Sequence, residues 1–297
     1  MTKSVRVKLS GGLGNQLFKT LAALQFARQH NANVEIDLSW FRNYKRLSPK
    51  VSRRSFALDY FAKLIKESSI KSFGEFSNLP YDIGRSLRKI NKRIAANMGF
   101  VSESNISKTK SFFGIKAYLD GNFENWHLLP PDDELKNLLE FPLQGSMWFE
   151  STQKDLIHSD FIALHVRQGD YLSLPEIYNV LSPKYYSSSL DFLYESLGDL
   201  RVILFSDDPK SALKWLGNDI SVDKVIDANG EVHPAEILRA MSMGKGIVTA
   251  HSTFSWWGAK LGTINGNTKS VTIPSRFFVD NSIYNNLRLP NWQVIDV

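Results

Sequence analysis

Five short apolar runs in the second half of the chain are each set off from the next by a helix-forming stretch: FIALHV (161–166), RVILFS (201–206), SVDKVID (221–227), GIVTA (246–250) and SVTI (270–273). Helices are expected to begin near Pro183, Pro209, Pro234 and Ser255. Proline is tolerated in a first helical turn, because its missing N–H would have no intrahelical partner there. Strands alternating with helices fold as a parallel sheet with helices packed on it. The beginning of the chain has the same layout. Val5, Val7 and Leu9 alternate with Arg6 and Lys8 as in a strand, Leu17, Leu21, Leu24 and Ala27 recur at helical spacing, and VEIDL (34–38) reads as the next strand. Two α/β halves are expected, as domains 1–155 and 156–297, with no repeat between them beyond this shared layout.

Composition narrows the class of protein. A chain of 297 residues with 43% hydrophobic and 22% charged residues can build two ordinary cores and has no signature of disorder. Thirty-six basic against 30 acidic residues give a net charge of +6, compatible with an anionic ligand or a membrane surface. There are no cysteines, which excludes disulfides, thiolate chemistry and cysteine-based zinc sites and fits a reducing compartment. No apolar leader opens the sequence, and no window approaches the ~20 apolar residues of a membrane span. The expectation is a soluble or peripheral, cytoplasmic protein.

The middle of the chain is less regular. Ile83, Leu87, Ile90, Ile94 and Met98 fall on one face of a helix expected over 82–98, with Arg85, Arg88, Lys89, Lys92 and Arg93 around the rest. Such a basic amphipathic helix can rest on anionic lipid; the plainer reading is a helix docked on a core by its apolar stripe.

The chemistry-bearing residues fall at the ends of strands. VRVKLSGGLGNQLF (5–18) runs from a strand through glycines into a helix, as phosphate-binding loops do. A dinucleotide fingerprint starting at Gly12 would need a small residue where Leu17 stands, and a P-loop ending at Lys19-Thr20 would need glycines where Leu13 and Phe18 stand. HVRQGDY (165–171), SDDP (206–209) and AHSTFSWWG (250–258) each follow a strand. Parallel strands bring their carboxyl ends to one edge, where ligands of open α/β sheets bind.

Each residue there has a structural and a ligand-binding reading. Arg167 can fork onto a phosphate, or pair with Asp170. His165 reads as a hydrogen-bonded core histidine or as a contact to a base or sugar. Asp208 followed by Pro209 is a helix start, whereas Asp207 could accept from the N–H groups of a purine. Without a third carboxylate or a histidine cluster nearby, the aspartate pair does not suggest a metal. The hydroxyls at 252, 253 and 255 sit at a helix N-terminus, where free N–H groups favour an anion; an ordinary cap would need only one of them. Trp256 and Trp257 read as core. Together these groups describe a crevice for a nucleoside diphosphate. A nucleic-acid-binding protein would want basic residues interleaved with aromatics, which the 85–93 cluster lacks. A glycoside hydrolase would leave the glycine loop and the 252–255 turn without a purpose.

In order and spacing, GGLGNQLF, HVRQGDY, FSDDP and STFSWWGA resemble the motifs of family 11 glycosyltransferases, inverting α-1,2-fucosyltransferases. YLDGNFENW (118–126), SPKYY (182–186), IPSRFF (273–278) and LPNW (289–292) extend the resemblance over nearly the whole chain. It implies a GT-B architecture, α/β with two Rossmann-like parallel-sheet domains facing across a cleft, the C-terminal one holding GDP-fucose. It implies no metal and no cofactor, and an acceptor that is a galactose-containing oligosaccharide or a lipid-linked glycan. Carried over by position, the donor-binding set is Gly12, Gly14, Asn15, Gln16, His165, Arg167, Ser206, Asp207, Asp208, Ser252, Thr253, Phe254 and Ser255. Within it Arg167 and Ser255 are expected at the diphosphate, and His165 with one of the two aspartates near guanine. Asp170 is the first candidate for the general base and Glu176 the second, with Arg167 as the third catalytic group. The family pattern His-x-Arg-Arg-x-Asp has Gln168 in place of its second arginine here.

Overall fold

Alternating strand and helix signals are realised as two separate parallel sheets in the computed structural model, which describes residues 2–42, 54–71, 78–167, 181–228, 231–277 and 286–297. Asp170, Glu176 and Gln168 lie outside the described residues. The chain divides into two compact units at Glu140/Phe141, ahead of the 155/156 boundary expected from the sequence.

The first unit runs through β1 (Lys3–Lys8), α1 (Leu13–Gln29), β2 (Ala32–Asp37), α2 (Ser39–Arg42), α3 (Ala62–Lys66), β3 (Ser68–Lys71), α4 (Leu79–Ile90), α5 (Lys92–Asn97), β4 (Phe100–Ser102), β5 (Lys116–Asp120) and α6 (Asp132–Leu138). Its strands lie in the order β3-β2-β1-β5-β4, all parallel. Central β1 buries Val5 and Val7 completely, and α1 buries Leu17, Phe18 and Leu21. Because β1 pairs with β5, the glycine loop after one strand and the DGNFENW segment at the end of the other share an edge.

The expected 82–98 helix is two helices. α4 ends at Ile90, and the Asn91 side chain accepts from the amides of Arg93 and Ile94 to cap α5. This break resets the helical phase, so the five aliphatic residues do not form one buried stripe. α4 docks instead through Tyr81 and through Gly84, where a Cβ would come within 2.9 Å of the Phe100 ring. Ile83, Ile90, Ile94 and Met98 are left exposed. The plainer reading of that segment, a stripe facing the core, is therefore corrected.

The second unit contains α7 (Met147–Leu156), β6 (Phe161–Val166), α8 (Pro183–Leu197), β7 (Arg201–Ser206), α9 (Pro209–Leu216), β8 (Lys224–Ile226), α10 (Pro234–Met241), β9 (Gly246–Val248), α11 (Thr253–Ile264), β10 (Ser270–Pro274) and β11 (Gln293–Ile295). The parallel order is β11-β10-β9-β6-β7-β8, with all six residues of β6 buried at its middle. Every strand and helix start expected from the sequence is present. β11, three residues long, gives no apolar run from which it could have been foreseen.

The α7 helix belongs to the second unit because its start is fastened there. The buried Glu236 carboxylate on α10 accepts from the Ser146 amide at 2.6 Å and from the Ser146 hydroxyl at 2.5 Å. Trp148 Nε1 donates to the Asp227 carbonyl, and the Arg239 guanidinium lies 4.2 Å from the Phe149 ring centroid. Replacing Glu236 by Ala removes the charged acceptor that holds the exposed start of α7. We expect a loss of about 1.5–3 kcal/mol in chemical denaturation, the usual worth of a hydrogen bond to a charged group.

Candidate functional site

Strand register builds the edge of the second unit. His165 pairs with Phe205 and Val166 with Ser206, so the residues that follow β6 and β7 meet. Arg167 Nη1 lies 3.1 Å from Asp207 Oδ2, both side chains only partly exposed. Asp207, read from the sequence as a purine acceptor, thus holds the arginine, and a carboxylate contact of this kind orients the guanidinium. Asp208 caps α9 as expected, accepting from the Ser211 amide at 3.1 Å and the Ser211 hydroxyl at 2.8 Å, and these bonds hold its carboxyl below the usual range. Ser206 accepts from the Asp208 amide at 3.1 Å and completes the turn.

His165 is buried, and burial together with Arg167 pushes its pKa down to about 3, so the imidazole is neutral at physiological pH. Its Nδ1 has no hydrogen-bond partner among the described residues. A buried polar atom left in that state costs free energy unless a ligand satisfies it. The His165 ring centroid lies 6.0 Å from that of Phe254 in the first turn of α11.

Two of the three hydroxyls at the start of α11 are built into the turn. Ser252 is the N-cap and accepts from the Phe254 amide at 3.2 Å. The fully buried Ser255 hydroxyl accepts from the Ala250 amide at 3.1 Å and donates to the Ser252 carbonyl at 3.3 Å. The Ser255 hydroxyl, expected at a phosphate, is here engaged in the turn it closes. Thr253, half-buried, opens the helix, whose N-terminal dipole remains an anion-favouring feature. Trp256 and Trp257 are fully buried, and Trp256 Nε1 donates to the Leu287 carbonyl at 2.7 Å, which makes both tryptophans core.

At the edge of the first unit the left-handed residue of the glycine loop is Gly11, with φ +79°. A Cβ there would sit 3.2 Å from Asn15 Cβ, so the loop and the start of α1 approach closely. Gly12 is the helix N-cap and has Arg54 beside it, whose Nε would lie 3.9 Å from a Cβ at that position. Gly14 is buried in the first turn of α1. Gln16, expected to face the donor, is fully buried; its carboxamide donates to the Gly11 and Ser55 carbonyls at 3.0 and 2.8 Å and accepts from the Ala57 amide at 3.0 Å. Gln16 thus fastens the loop.

Asn15 points to a group that the sequence analysis did not single out. Its Nδ2 donates to Glu124 Oε1 at 3.2 Å. Burial and the neighbouring Glu103 push the Glu124 carboxyl up to about 7, and the Lys19 ammonium opposes them. Lys19 is itself buried, donates to Ser10 Oγ at 2.6 Å, and is pushed down to about 8. Phe123, buried with φ +56°, turns the chain just before Glu124, and its amide donates to Glu103. A bulky residue in the left-handed region stores backbone strain, a feature that concentrates at functional sites. The available signal was a carboxylate just past the strand beside β1. Among the described residues no group of three or more His, Asp or Glu side chains could hold a metal ion.

Lys19 is the cation that moderates Glu124, so its loss should move the titration further. In the Lys19→Met variant, with labelled carboxyls followed by NMR, we expect Glu124 to titrate above its wild-type midpoint of about 7. An unchanged midpoint would mean that the two groups do not interact.

Comparison with known proteins finds glycosyltransferases as relatives. An alpha-1,2-colitosyltransferase of Escherichia coli is 26% identical over 262 residues, covering 86% of this chain and 87% of that protein. The O-antigen biosynthesis glycosyltransferase WbnK of Escherichia coli is 26% identical over 309 residues, covering 96% and 98%. Among solved structures, the fucosyltransferase NodZ from Bradyrhizobium superposes with a TM-score of 0.54 at 14% identity, covering 87% of this chain and 93% of its own. NodZ, an alpha-1,6-fucosyltransferase, has also been co-crystallised with GDP. Its likeness establishes a shared GT-B type fold. The sequence model of glycosyl transferase family 11 matches residues 132–296, more than half of the chain, and the protein therefore belongs to that family.

Proposed function

We propose that this glycosyltransferase moves L-fucose from GDP-β-L-fucose to a hydroxyl of a glycan, O2 of a galactose, with inversion and without a metal. The observation that carries the reading is the edge at β6 and β7, where an arginine paired with Asp207 stands beside a neutral histidine whose Nδ1 has no partner among the described residues. A nucleoside diphosphate needs a cation at its phosphates and polar contacts at its base, and Arg167 and His165 would supply them. Support for the donor comes from the family resemblance and from a shared fold with NodZ, which binds GDP in its crystals. The relatives' names support a saccharide acceptor, an oligosaccharide or a lipid-linked glycan in polysaccharide biosynthesis. A second reading, colitosyl transfer, is favoured by the name of the colitosyltransferase relative.

In fucosyl transfer the acceptor oxygen attacks the anomeric carbon as GDP leaves, and negative charge grows on the departing β-phosphate. Arg167 and the N–H groups opening α11 would stabilise that charge; one preorganised donor of this kind is worth about 2–4 kcal/mol. With the Ser252 and Ser255 hydroxyls engaged in their turn, the load shifts to the arginine and the backbone. Asp170 is assigned the general base, with Glu176 as the alternative. Asn15, held by Glu124, keeps its assignment as a donor-binding residue.

Incubating the protein with GDP-fucose or GDP-colitose and a galactose-terminated glycan, with and without EDTA, tests the donor directly. We expect free GDP and a product heavier by one deoxyhexose, unaffected by EDTA; preference for GDP-colitose would select the second reading. No calorimetric affinity for GDP would overturn both. Asp170→Asn should lower kcat by ~10²–10⁴-fold with GDP affinity little changed, as loss of a general base does. An equal loss of GDP affinity would assign Asp170 to orienting Arg167 instead.

A further inference from the structure

Residues 83–119 carry eight lysines and arginines against a single acid, Glu103. The same stretch leaves large apolar side chains in solvent: Ile90 is 83% exposed, Phe113 74%, Ile94 54% and Met98 48%. They lie together. Ile94 and Met98 are one helical turn apart, and the Phe113 amide donates to the Asn97 carbonyl at 2.6 Å, which seats Phe113 at the end of α5. Ile83, also exposed, lies two turns before Ile90 along α4. Scattered exposed aliphatics are ordinary on a protein surface, whereas a cluster marks a contact.

The cations around this cluster divide into two groups. Arg85 and Arg88 are engaged by Asp120, and Arg85 also by Asp82. Lys89, Lys92 and Arg93 have no carboxylate partner among the described residues. Three unneutralised cations therefore border a patch of apolar side chains on a helix pair that docks through Tyr81, Gly84, Ala95 and Ala96 and leaves Ile83, Ile90, Ile94 and Met98 outside.

We propose that this face docks on an anionic lipid bilayer. Ile90, Ile94, Met98 and Phe113 enter the boundary between headgroups and acyl chains, and Lys89, Lys92 and Arg93 meet lipid phosphates. Apolar burial and attraction to anionic headgroups together are what hold an amphipathic surface on a membrane. A nucleic acid would be served by stacking aromatics, and only one of the four apolar residues here is aromatic. No helix among the described residues is long and apolar enough to cross a membrane, so the contact is peripheral. It is independent of the donor chemistry proposed above.

Co-sedimentation of the full chain with phosphatidylcholine vesicles, with and without 30% phosphatidylglycerol (about that share), reads the contact. We expect binding to the anionic vesicles only, weakened by salt. The combined Lys89→Gln, Lys92→Gln and Arg93→Gln variant should bind about a hundredfold more weakly, as each cation near an anionic surface adds roughly a fixed free energy. Ile90→Ser, Ile94→Ser and Phe113→Ser together should also abolish binding at unchanged charge. All six side chains are exposed, so the melting temperature should hold in both variants. Equal binding to both vesicle types, or retention of binding by the serine variant, would overturn the proposal. So would equal affinity for single-stranded RNA, or a dimer that the serine variant dissolves.

Discussion

The pairing of β6 with β7 in parallel register is the constraint from which the second unit's chemistry follows. Parallel strands point the same way, so whatever follows their carboxyl ends emerges at one edge. With Val166 opposite Ser206, Arg167 and Asp207 become neighbours although 40 residues apart in the chain. The pair could not form in an antiparallel arrangement, which would send one of the two residues to the far end of the sheet. The buried strand also carries His165 inward beside the guanidinium, and burial with a nearby cation keeps the ring neutral. One packing decision, a six-residue strand at the middle of a sheet, thus sets the position, orientation and protonation state of two polar groups.

The first unit solves a different problem with the same edge. A glycine loop is useful only if its backbone is held, and the loop here is held by side chains pointing inward. Gln16 ties Gly11 to Ser55 and Ala57, and Lys19 reaches Ser10 from the second turn of α1. A residue's place in a motif therefore does not distinguish a ligand contact from the scaffold that shapes it. Asn15 and Gln16 are adjacent in the chain, yet one is directed to Glu124 and the other is closed into the loop.

Much of the fold was legible in the sequence, and the reasons are physical. The strands of the second unit are short apolar runs bounded by prolines and helix caps, signals that are local and additive. The Asp208 cap was likewise readable, since an N-cap needs only its own helix. What was not legible depended on partners distant in sequence. The Arg167–Asp207 pair needs the strand register, the role of Gln16 needs Ser55 and Ala57, and Glu124 gains its interest only from Asn15 and Lys19. The division at Glu140/Phe141 likewise rests on distant partners: α7 is held by Glu236, 90 residues downstream of Ser146. The break at Asn91 was a local signal that was overlooked, an Asn standing before a new helical turn.

The two edges also differ in how they handle charge. In the second unit the cation is partly exposed and paired, so it stays charged and ready to meet an anion. In the first unit the lysine and the glutamate are both drawn toward neutrality by burial, to about 8 and about 7. Groups placed in this way change their protonation with small changes in surroundings, because their midpoints lie near physiological pH. A bound anion nearby would favour the protonated forms of both, since it repels carboxylate and attracts ammonium. The glycine loop therefore rests on groups able to take up protons when an anion binds, whereas Arg167 responds through geometry alone.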